Sequence, residues 1–288
     1  MTYYQKADWV LEQLSKEGTV IVDARYALND TEAGKRAYAE AHIPGAYYVD
    51  LSHDLSGPKR PNGEGGRHPL PEPQALAAVF ERIGIGQQTT VIAYDDQGGA
   101  MASRLRWLLQ WLGHDGQVYL LEGGFAGWQA AGKPVSTEVP APAEGVTFTP
   151  AVREDMLVSR DEVKARIGKA GTVLIDSREA PRYRGEVEPL DPAAGHIPGA
   201  INRFWNEGKR ADGSWKSPEE QAERFAGLSQ DDEIIVYCGS GVTATPNVFA
   251  LQEAGFHNVK LYAGSWSDWS SRPENPIATG YEEEQKDE

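Results

Sequence analysis

The sequence contains a single cysteine, Cys238, among 288 residues. One cysteine excludes an internal disulfide and any zinc site built on a Cys-x-x-Cys pair. Basic residues are also few, since 28 Lys and Arg face 43 Asp and Glu, which gives a net charge of −15. Nucleic acids and anionic membranes are bound by clustered Lys and Arg, so this balance argues against both as partners.

Long apolar runs are absent from the sequence, and no window approaches the length of a membrane span. The N-terminal segment carries charges throughout and lacks the apolar core of a secretory signal peptide. No His, Asp and Glu cluster has metal-ligand spacing, and no glycine-rich phosphate loop of the Walker kind occurs. We therefore expect a cytoplasmic protein that needs neither a metal nor an organic cofactor.

What the sequence does contain is an alternation of short apolar strands with helical patterns. Strand-like β-branched runs cover 19–25, 89–95 and 118–121, and helical patterns cover 8–16, 75–83 and 101–112. Strands that alternate with helices are typical of an α/β fold. We therefore expect a mostly parallel sheet that helices cover on both faces.

The same order of motifs occurs twice along the chain. Asp23-Ala24-Arg25 after the first strand recurs as Asp176-Ser177-Arg178, and the His-Ile-Pro-Gly-Ala motif at 42–46 recurs at 196–200. This repeat predicts two homologous α/β domains. Their predicted bounds are residues 1–135 and 151–288, with a linker rich in Pro, Ala and Glu at 136–150.

Cys238 follows the apolar strand 234–237, and a loop with two glycines leads from it to a helical pattern that starts at Asn247. A strand, loop and helix in this order form a site at the carboxyl end of a parallel sheet. Backbone N–H groups and the helix N-terminus favour an anion there, so we predict that Cys238 is a nucleophile. A buried structural cysteine is the alternative. The first repeat has Asp95 at the equivalent position, so only the second repeat carries a thiol.

The residues around Cys238 restrict the kind of nucleophile. A cysteine phosphatase would carry Arg six positions after its cysteine, whereas this sequence has Ala244 there. A histidine partner of the cysteine-protease type stays possible, although no acyl-transfer motif is present. A short loop without its own cation suits a persulfide, whose outer sulfur accepts several N–H hydrogen bonds.

These motifs resemble the two-domain rhodanese-like sulfurtransferases along nearly the full chain. The resemblance is carried by the tandem repeat, the two Asp-x-Arg strand ends, the two His-Ile-Pro-Gly-Ala motifs and Cys-Gly-Ser-Gly-Val-Thr-Ala at 238–244. It implies a rhodanese fold in each half, a catalytically inactive first domain and a catalytic Cys238 in the second. Cys238 would take a sulfane sulfur from a small donor. It would pass that sulfur to a thiol, such as thioredoxin or a small thiol, or to cyanide.

The loop also bears on the donor. Thiosulfate enzymes of the animal type carry Cys-Arg-Lys-Gly, whereas the loop here is similar to the 3-mercaptopyruvate type; its residues are Gly239, Ser240, Gly241, Val242 and Thr243. A weakly charged loop fits a donor whose carboxylate lies away from the reacting sulfur. The hydroxyls of Ser240 and Thr243 could bond the sulfur or the leaving enolate, or simply close the loop.

Arginines that bind the donor are implied by the same resemblance. It assigns this role to Arg182, with Arg184 as a further candidate. Mercaptopyruvate enzymes usually carry another Arg just before the His-Ile-Pro-Gly-Ala motif, whereas residues 188–192 here read Glu-Pro-Leu-Asp-Pro. Arg203, just beyond that motif, is a candidate replacement. The missing Arg leaves the preferred donor open.

His68 matches a histidine that the family assigns to a Ser-His-Asp relay near the cysteine. The aspartate of that relay corresponds to Ser52 here, with Asp50 close by in the sequence. His68 is therefore either a donor in the site or an ordinary loop histidine. Two alternatives to a mercaptopyruvate enzyme remain, namely a thiosulfate sulfurtransferase and a non-catalytic persulfide carrier or redox-sensing module.

Overall fold

The structure, a computed structural model, describes residues 3–281 of the chain. The chain folds as two compact units, and neither is continuous in sequence. The first unit runs to Gly57 and includes Leu70–Glu154 and Lys209–Trp215. The second unit comprises Pro58–Pro69, Asp155–Gly208 and the described residues from Lys216 onward. The loop 58–69 therefore belongs to the second unit, although it precedes the predicted linker in sequence.

Each unit alternates strands with helices. The first unit contains β1 (Tyr4–Gln5), α1 (Ala7–Gln13), β2 (Thr19–Asp23), α2 (Ala33–Glu40), β3 (Tyr47–Tyr48), α3 (Pro73–Arg82), β4 (Thr90–Tyr94), α4 (Ala100–Trp111), β5 (Val118–Leu121) and α5 (Gly124–Ala130). The second contains α6 (Arg160–Arg166), β6 (Thr172–Asp176), α7 (Ala180–Tyr183), β7 (Ile201–Asn202), α8 (Pro218–Arg224), β8 (Glu233–Tyr237), α9 (Thr245–Glu253), β9 (Val259–Leu261) and α10 (Ser265–Trp269). Short 3-10 turns occur at Glu154–Met156 and Trp205–Gly208.

Each unit has one parallel sheet. The strand order is β1-β5-β4-β2-β3 in the first unit and β7-β6-β8-β9 in the second. Consecutive residues of the central strands are buried, namely 91–94 in β4 and 234–237 in β8. Because neighbouring side chains of a strand point to opposite faces, such runs mean that both faces are covered. The predicted fold class is therefore confirmed.

The repeated Asp-x-Arg motif forms a buried ion pair in both units. Arg25 bonds the Asp23 carboxylate and the carbonyl of Ala41, and Arg178 bonds Asp176 and the carbonyl of Gly195. The guanidinium thus ties the end of a strand to the turn that carries His-Ile-Pro-Gly-Ala. Breaking a buried ion pair by removing one partner destabilises the fold by about 3–5 kcal/mol, and here the guanidinium also satisfies a carbonyl. Its presence in both units indicates that it maintains the fold.

Within residues 3–281, the structure contains no helix with the length and apolarity needed to cross a membrane. Over the same part of the chain, no group of three or more His, Cys, Asp and Glu side chains could hold a metal ion.

Candidate active site

Cys238 lies directly after β8, at the carboxyl edge of the second sheet. β8 pairs with β6 in a register that sets Tyr237 beside Asp176, so Cys238 is the first residue beyond the paired strands. Its side chain is buried, with 1% of its surface exposed. Burial on a rigid strand end fixes the position of the sulfur, and a nucleophile benefits from such a fixed position.

The turn that begins α10 holds the backbone of Cys238. The Ser265 hydroxyl accepts the Cys238 N–H at 3.1 Å and donates to the carbonyl of Tyr262 at 2.9 Å. The N–H groups of Trp266 and Ser267 bond the carbonyls of Cys238 and Gly239 at 3.0 and 2.9 Å. These bonds attach the start of the loop to α10.

Ser265 has a left-handed backbone, with φ of +56°, which is unfavourable for any residue other than glycine. The strain is stored at the residue that fixes Cys238, and this residue was not predicted from the sequence. A signal was available, because the first repeat has Gly124 at the same position, with φ of +59°. A side chain on Gly124 would meet the carbonyl oxygen of Asp95 at 1.9 Å.

The loop after Cys238 turns sharply at Gly241, which has φ of +75°. A Cβ at this position would stand 2.2 Å from the carbonyl oxygen of Ala263, so only glycine fits. Val242 is buried, Thr243 is partly buried, and Thr245 closes the loop with two bonds to the carbonyl of Val242. The loop therefore leads tightly into α9.

His68 and Ser240 meet in the second unit. His68 Nδ1 lies 2.9 Å from Ser240 Oγ, and both side chains are buried. A hydroxyl and an imidazole at this distance form a hydrogen bond, so His68 contacts a hydroxyl group of the active-site loop.

Ser52 stands where the resemblance expects the relay aspartate, and the nearby Asp50 has local partners in the first unit. Asp50 accepts hydrogen bonds from the backbone N–H groups of Ser52 and His53, and its Oδ1 also lies 3.0 Å from His53 Nδ1. These bonds close the turn that follows Asp50. The contacts of Ser52 likewise include Tyr26, whose phenol lies 2.6 Å from the serine hydroxyl.

The loop that carries His68 is anchored to α10 through Asp268. The Gly65 N–H bonds Asp268 Oδ1 at 3.2 Å, and the Tyr262 phenol donates to Asp268 Oδ2 at 2.6 Å. Burial raises the pKa of Tyr262 well above its ordinary value, so its phenol stays protonated and keeps donating. Gly66 passes so close to the carbonyl of Gly264 that a Cβ would stand 2.4 Å from it.

Two guanidinium groups lie over Gly239, the residue after Cys238. A Cβ on Gly239 would stand 2.9 Å from Arg67 Nη2 and 3.4 Å from Arg182 Nη1. Arg182 was predicted from the sequence, whereas Arg67 was not. The loop 238–243 has no cation of its own, but cations from two other segments stand beside it. Its weak charge therefore does not by itself separate mercaptopyruvate from thiosulfate as the donor.

Two buried carboxylates hold these guanidiniums. Asp191 bonds Arg67 through Oδ1 and Arg182 through Oδ2, the latter at 3.4 Å. Glu188 accepts two bonds from Arg182 Nη2, at 2.7 and 2.9 Å, and one from Arg178 Nη1 at 3.1 Å. The stretch 188–192, which lacks the Arg expected from the resemblance, therefore supplies the acids that position arginines from elsewhere.

The other two predicted arginines have different partners. Arg184 forms a bidentate pair with the exposed Glu186 and lies over the ring of Tyr281. Arg203 Nη1 bonds the carbonyl of Asn202, and the Arg203 carbonyl accepts from Asn247. The Arg184 side chain is thus held at the surface. The Arg203 side chain bonds β7, and the Arg203 backbone bonds α9. A donor-binding role for either residue stays a prediction.

The equivalent loop of the first unit binds a carboxylate of its own chain. Asp95 accepts four backbone N–H bonds of 2.8–2.9 Å, from Gln97, Gly99, Met101 and Ala102. Burial raises the pKa of Asp95, and these four donors oppose that shift. A loop at this position in the repeat can therefore gather backbone donors around one negative group.

Fold and site together define an α/β protein of two related units, one of which presents a cysteine at the end of a central parallel strand. The Rhodanese-like domain family model matches residues 6–131 and 159–272, and the chain belongs to this family.

Several relatives over nearly the full length are sulfurtransferases by name, and one, TtuD of Thermus thermophilus, 33% identical over 96% of each chain, is named a sulfur carrier protein. A probable 3-mercaptopyruvate sulfurtransferase of Pseudomonas aeruginosa is 45% identical over 277 residues, which cover 95% of this chain and 97% of the relative. SseB of Mycobacterium tuberculosis, a putative thiosulfate sulfurtransferase, is 36% identical over 265 residues, 90% of each chain. The crystal structure of SseA from Escherichia coli, a 3-mercaptopyruvate sulfotransferase with the rhodanese fold, matches with a TM-score of 0.80 and 34% identity. This match covers 92% of this chain and 99% of SseA.

Proposed function

We propose that this protein is a sulfurtransferase that moves a sulfane sulfur from 3-mercaptopyruvate, through a persulfide on Cys238, to a thiol or cyanide. The observation that carries the proposal is the position of Cys238. It is a buried thiol at the start of a loop whose counterpart in the first repeat gathers four N–H groups around a carboxylate. The equivalent positions after Cys238 are Ser240, Val242, Ala244 and Thr245; Thr245 gives its N–H to the carbonyl of Val242, so an anionic outer sulfur would have up to three comparable donors.

In the first half-reaction, the Cys238 thiolate attacks the sulfur of 3-mercaptopyruvate. A sulfur–sulfur bond forms, the carbon–sulfur bond breaks, and its electron pair leaves on carbon as the enolate of pyruvate. A proton returns to that carbon to give pyruvate. The Ser240 hydroxyl, which lies 2.9 Å from His68 Nδ1, is suited to donate to the enolate oxygen while the charge is there.

In the second half-reaction, a nucleophile removes the outer sulfur. A thiolate gives a new persulfide, or cyanide gives thiocyanate, and Cys238 returns as its thiolate. The two halves form a ping-pong cycle with one covalent intermediate. Reduced thioredoxin and small thiols are the acceptors that we propose.

The choice of 3-mercaptopyruvate over thiosulfate is supported by the 45% identity to the Pseudomonas relative and by the similarity of the Gly-Ser-Gly-Val-Thr sequence, rather than its charge, to the 3-mercaptopyruvate type. The roles within the chain follow the repeat. The second repeat, 151–288, carries the catalytic Cys238, and the first, 1–135, has Asp95 in place of the cysteine and is non-catalytic apart from the loop 58–69, which belongs to the second unit; 136–150 link the two repeats. A cytoplasmic location remains a prediction from the sequence.

Steady-state turnover with 3-mercaptopyruvate and with thiosulfate tests the proposal. Cyanide serves as the common acceptor, and the wild type is compared with Cys238→Ser. We expect a higher kcat/KM for 3-mercaptopyruvate and loss of measurable turnover in Cys238→Ser, because a hydroxyl cannot form the persulfide. A higher kcat/KM for thiosulfate would mean that thiosulfate, not 3-mercaptopyruvate, is the preferred donor. Sulfur loading from a partner protein without turnover of either donor would favour the carrier, and undiminished activity of Cys238→Ser would reject the mechanism.

A further inference from the structure

Arg67 lies over the active-site loop without belonging to it. It comes from the loop 58–69 of the second unit, and its Nη2 stands 2.9 Å from where a Cβ of Gly239 would be. Arg182 Nη1 stands 3.4 Å from the same point. Because Gly239 has no side chain, two guanidiniums share the space directly beside the residue that follows Cys238.

The contacts of Arg67 and Arg182 leave one end of each guanidinium turned toward Gly239. Arg67 uses Nη1 for Asp191, and Arg182 uses Nη2 for Glu188 and Asp191. The acids are buried, with 2% of the Asp191 side chain and 3% of the Glu188 side chain exposed, whereas Arg67 and Arg182 keep 22% and 18% exposed. The carboxylates therefore hold Arg67 through Nη1 and Arg182 through Nε and Nη2, and the groups nearest to Gly239 are Arg67 Nη2 and Arg182 Nη1. The exposed parts belong to the cations.

Two guanidiniums this close repel each other, and Asp191 offsets the repulsion because it gives one oxygen to each. The result is a pair of planar donors that Asp191 holds close to the same point beside Gly239. A carboxylate or sulfonate that enters beside Gly239 can take one N–H group from each, which is the geometry that favours guanidinium over ammonium for binding oxyanions.

We propose that Arg67 is a donor-binding residue that, together with Arg182, grips the anionic group of the sulfur donor. This proposal rests on the function proposed above and assigns the second cation of the site. The sequence alone suggested Arg203 for that cation. Arg67 instead approaches from a loop more than a hundred residues away in sequence, and Asp191 in the Arg-free stretch 188–192 holds it in place.

The test compares 3-mercaptopyruvate with its methyl ester, which has the same sulfur and leaving group without the carboxylate charge. Arg67→Met should lower kcat/KM for the acid by about ten- to a hundredfold, the usual effect of losing a charged hydrogen bond. For the ester, the loss should be less than about threefold. Arg67→Lys, which keeps the charge without the planar fork, should fall between the wild type and Arg67→Met.

Arg60→Met is the matched control, because Arg60 belongs to the same loop but pairs with the exposed Glu64. It should leave kcat/KM for both donors unchanged. An equal loss for acid and ester in Arg67→Met would overturn the proposal, since it would assign Arg67 a purely structural role as a latch on Asp191. No loss for either donor would also overturn it.

Calorimetric titration with pyruvate separates this inference from the proposed sulfur transfer. Pyruvate carries the same carboxylate, and its binding does not require turnover. Arg67→Met should weaken pyruvate binding by about ten- to a hundredfold relative to the wild type and to Arg60→Met. If no donor is turned over but this dependence holds, the proposed function fails and the anion site stands. Unchanged pyruvate binding would reject the site even in an active enzyme.

Discussion

Ser240 links the Cys238 loop to the imidazole of His68. Its hydroxyl contacts His68 Nδ1 at 2.9 Å, and both groups are buried. The two candidate donors place different demands on this pair. Loss of sulfur from 3-mercaptopyruvate leaves an enolate, which needs a hydrogen-bond donor and then a proton. Loss of sulfur from thiosulfate leaves sulfite, which is stable as an anion. Ser240 should therefore matter for one donor and much less for the other.

Replacing Ser240 by Ala should lower kcat with 3-mercaptopyruvate about a hundredfold, the usual effect of removing one donor to a developing oxyanion. With thiosulfate, the decrease should be much smaller. The measurement is kcat for each donor at saturating cyanide. Ser229→Ala is a suitable control, because Ser229 is exposed and bonds only locally to the Asp231 N–H. Equal decreases for both donors would show that Ser240 acts through loop structure rather than on the enolate.

Single residues of the site differ in how far the sequence could predict them. Cys238, Ser240 and Arg182 lie in or beside motifs, so local sequence was enough to name them. Arg67 acts through space, and the one local signal for it was that it directly precedes His68. Arg203 was chosen because it is close in sequence to the second His-Ile-Pro-Gly-Ala motif, and its side chain bonds the carbonyl of Asn202, so its role as a donor-binding residue stays a prediction.

At the scale of elements, the turn from β9 to α10 fixes the active-site loop. Ser265 combines a left-handed backbone, which is unfavourable for serine, with a hydrogen bond that holds the Cys238 N–H. The strain costs about 1–3 kcal/mol, and an unpaired buried N–H costs a similar amount. The hydrogen bond therefore offsets the strain, and the two can be separated by substitution.

Ser265→Gly loses the hydrogen bond but relieves the strain, whereas Ser265→Ala loses the hydrogen bond and keeps the strain. We therefore expect the alanine variant to be less stable than the glycine variant by about 1 kcal/mol or more. Urea denaturation measures this difference. Ser267, two residues further along α10, is the control. Because Ser267 lies within the helix, its glycine variant should be less stable than its alanine variant by about 1 kcal/mol, the reverse of the order at Ser265. The same order at both positions would contradict the assigned strain.

Elements with strong patterns were predicted well. The strand at 118–121 agrees with β5, and the helical pattern at 101–112 agrees with α4 within one residue. Several short helices were not predicted, although the seven-residue α1 agrees with the pattern at 8–16 to within one residue at its start. For α6 a signal existed, since Ser159 and Glu162 form a capping box at its start. The two-residue strands β3 and β7 are defined by pairing with β2 and β6, which a linear sequence does not express.

At the scale of the whole molecule, the chain uses one fold twice and equips only one copy with a thiol. In the first unit, Asp95 occupies the position of Cys238 and satisfies four backbone N–H groups itself. In the first unit, the carboxylate of Asp95 therefore occupies the position where the loop could bind an anion, and the loop has a structural role. The first unit should therefore contribute stability rather than a reacting group.

Asp95→Asn tests this division of roles. The amide offers one acceptor oxygen in place of two, so two of the four N–H groups lose their partner, at the least those of the exposed Gln97 and the partly buried Gly99. The free energy of unfolding of the first unit should fall by about 1–3 kcal/mol. Turnover should be nearly unchanged at a temperature where the unit is folded. Asp96→Asn is the control, because the half-exposed Asp96 side chain accepts an N–H bond from Ala126 that an amide oxygen preserves. Loss of turnover in folded Asp95→Asn would refute the assignment.

The most direct test of the central claim is the intact mass of the protein after mixing with 3-mercaptopyruvate in the absence of an acceptor. The proposed mechanism predicts a gain of one sulfur atom, located on the peptide that contains Cys238 and removed by cyanide as thiocyanate. Cys238→Ser should show no gain. Conversion of the donor to pyruvate and transfer of its sulfur without any mass gain on Cys238, or with the same gain in Cys238→Ser, would contradict the persulfide mechanism.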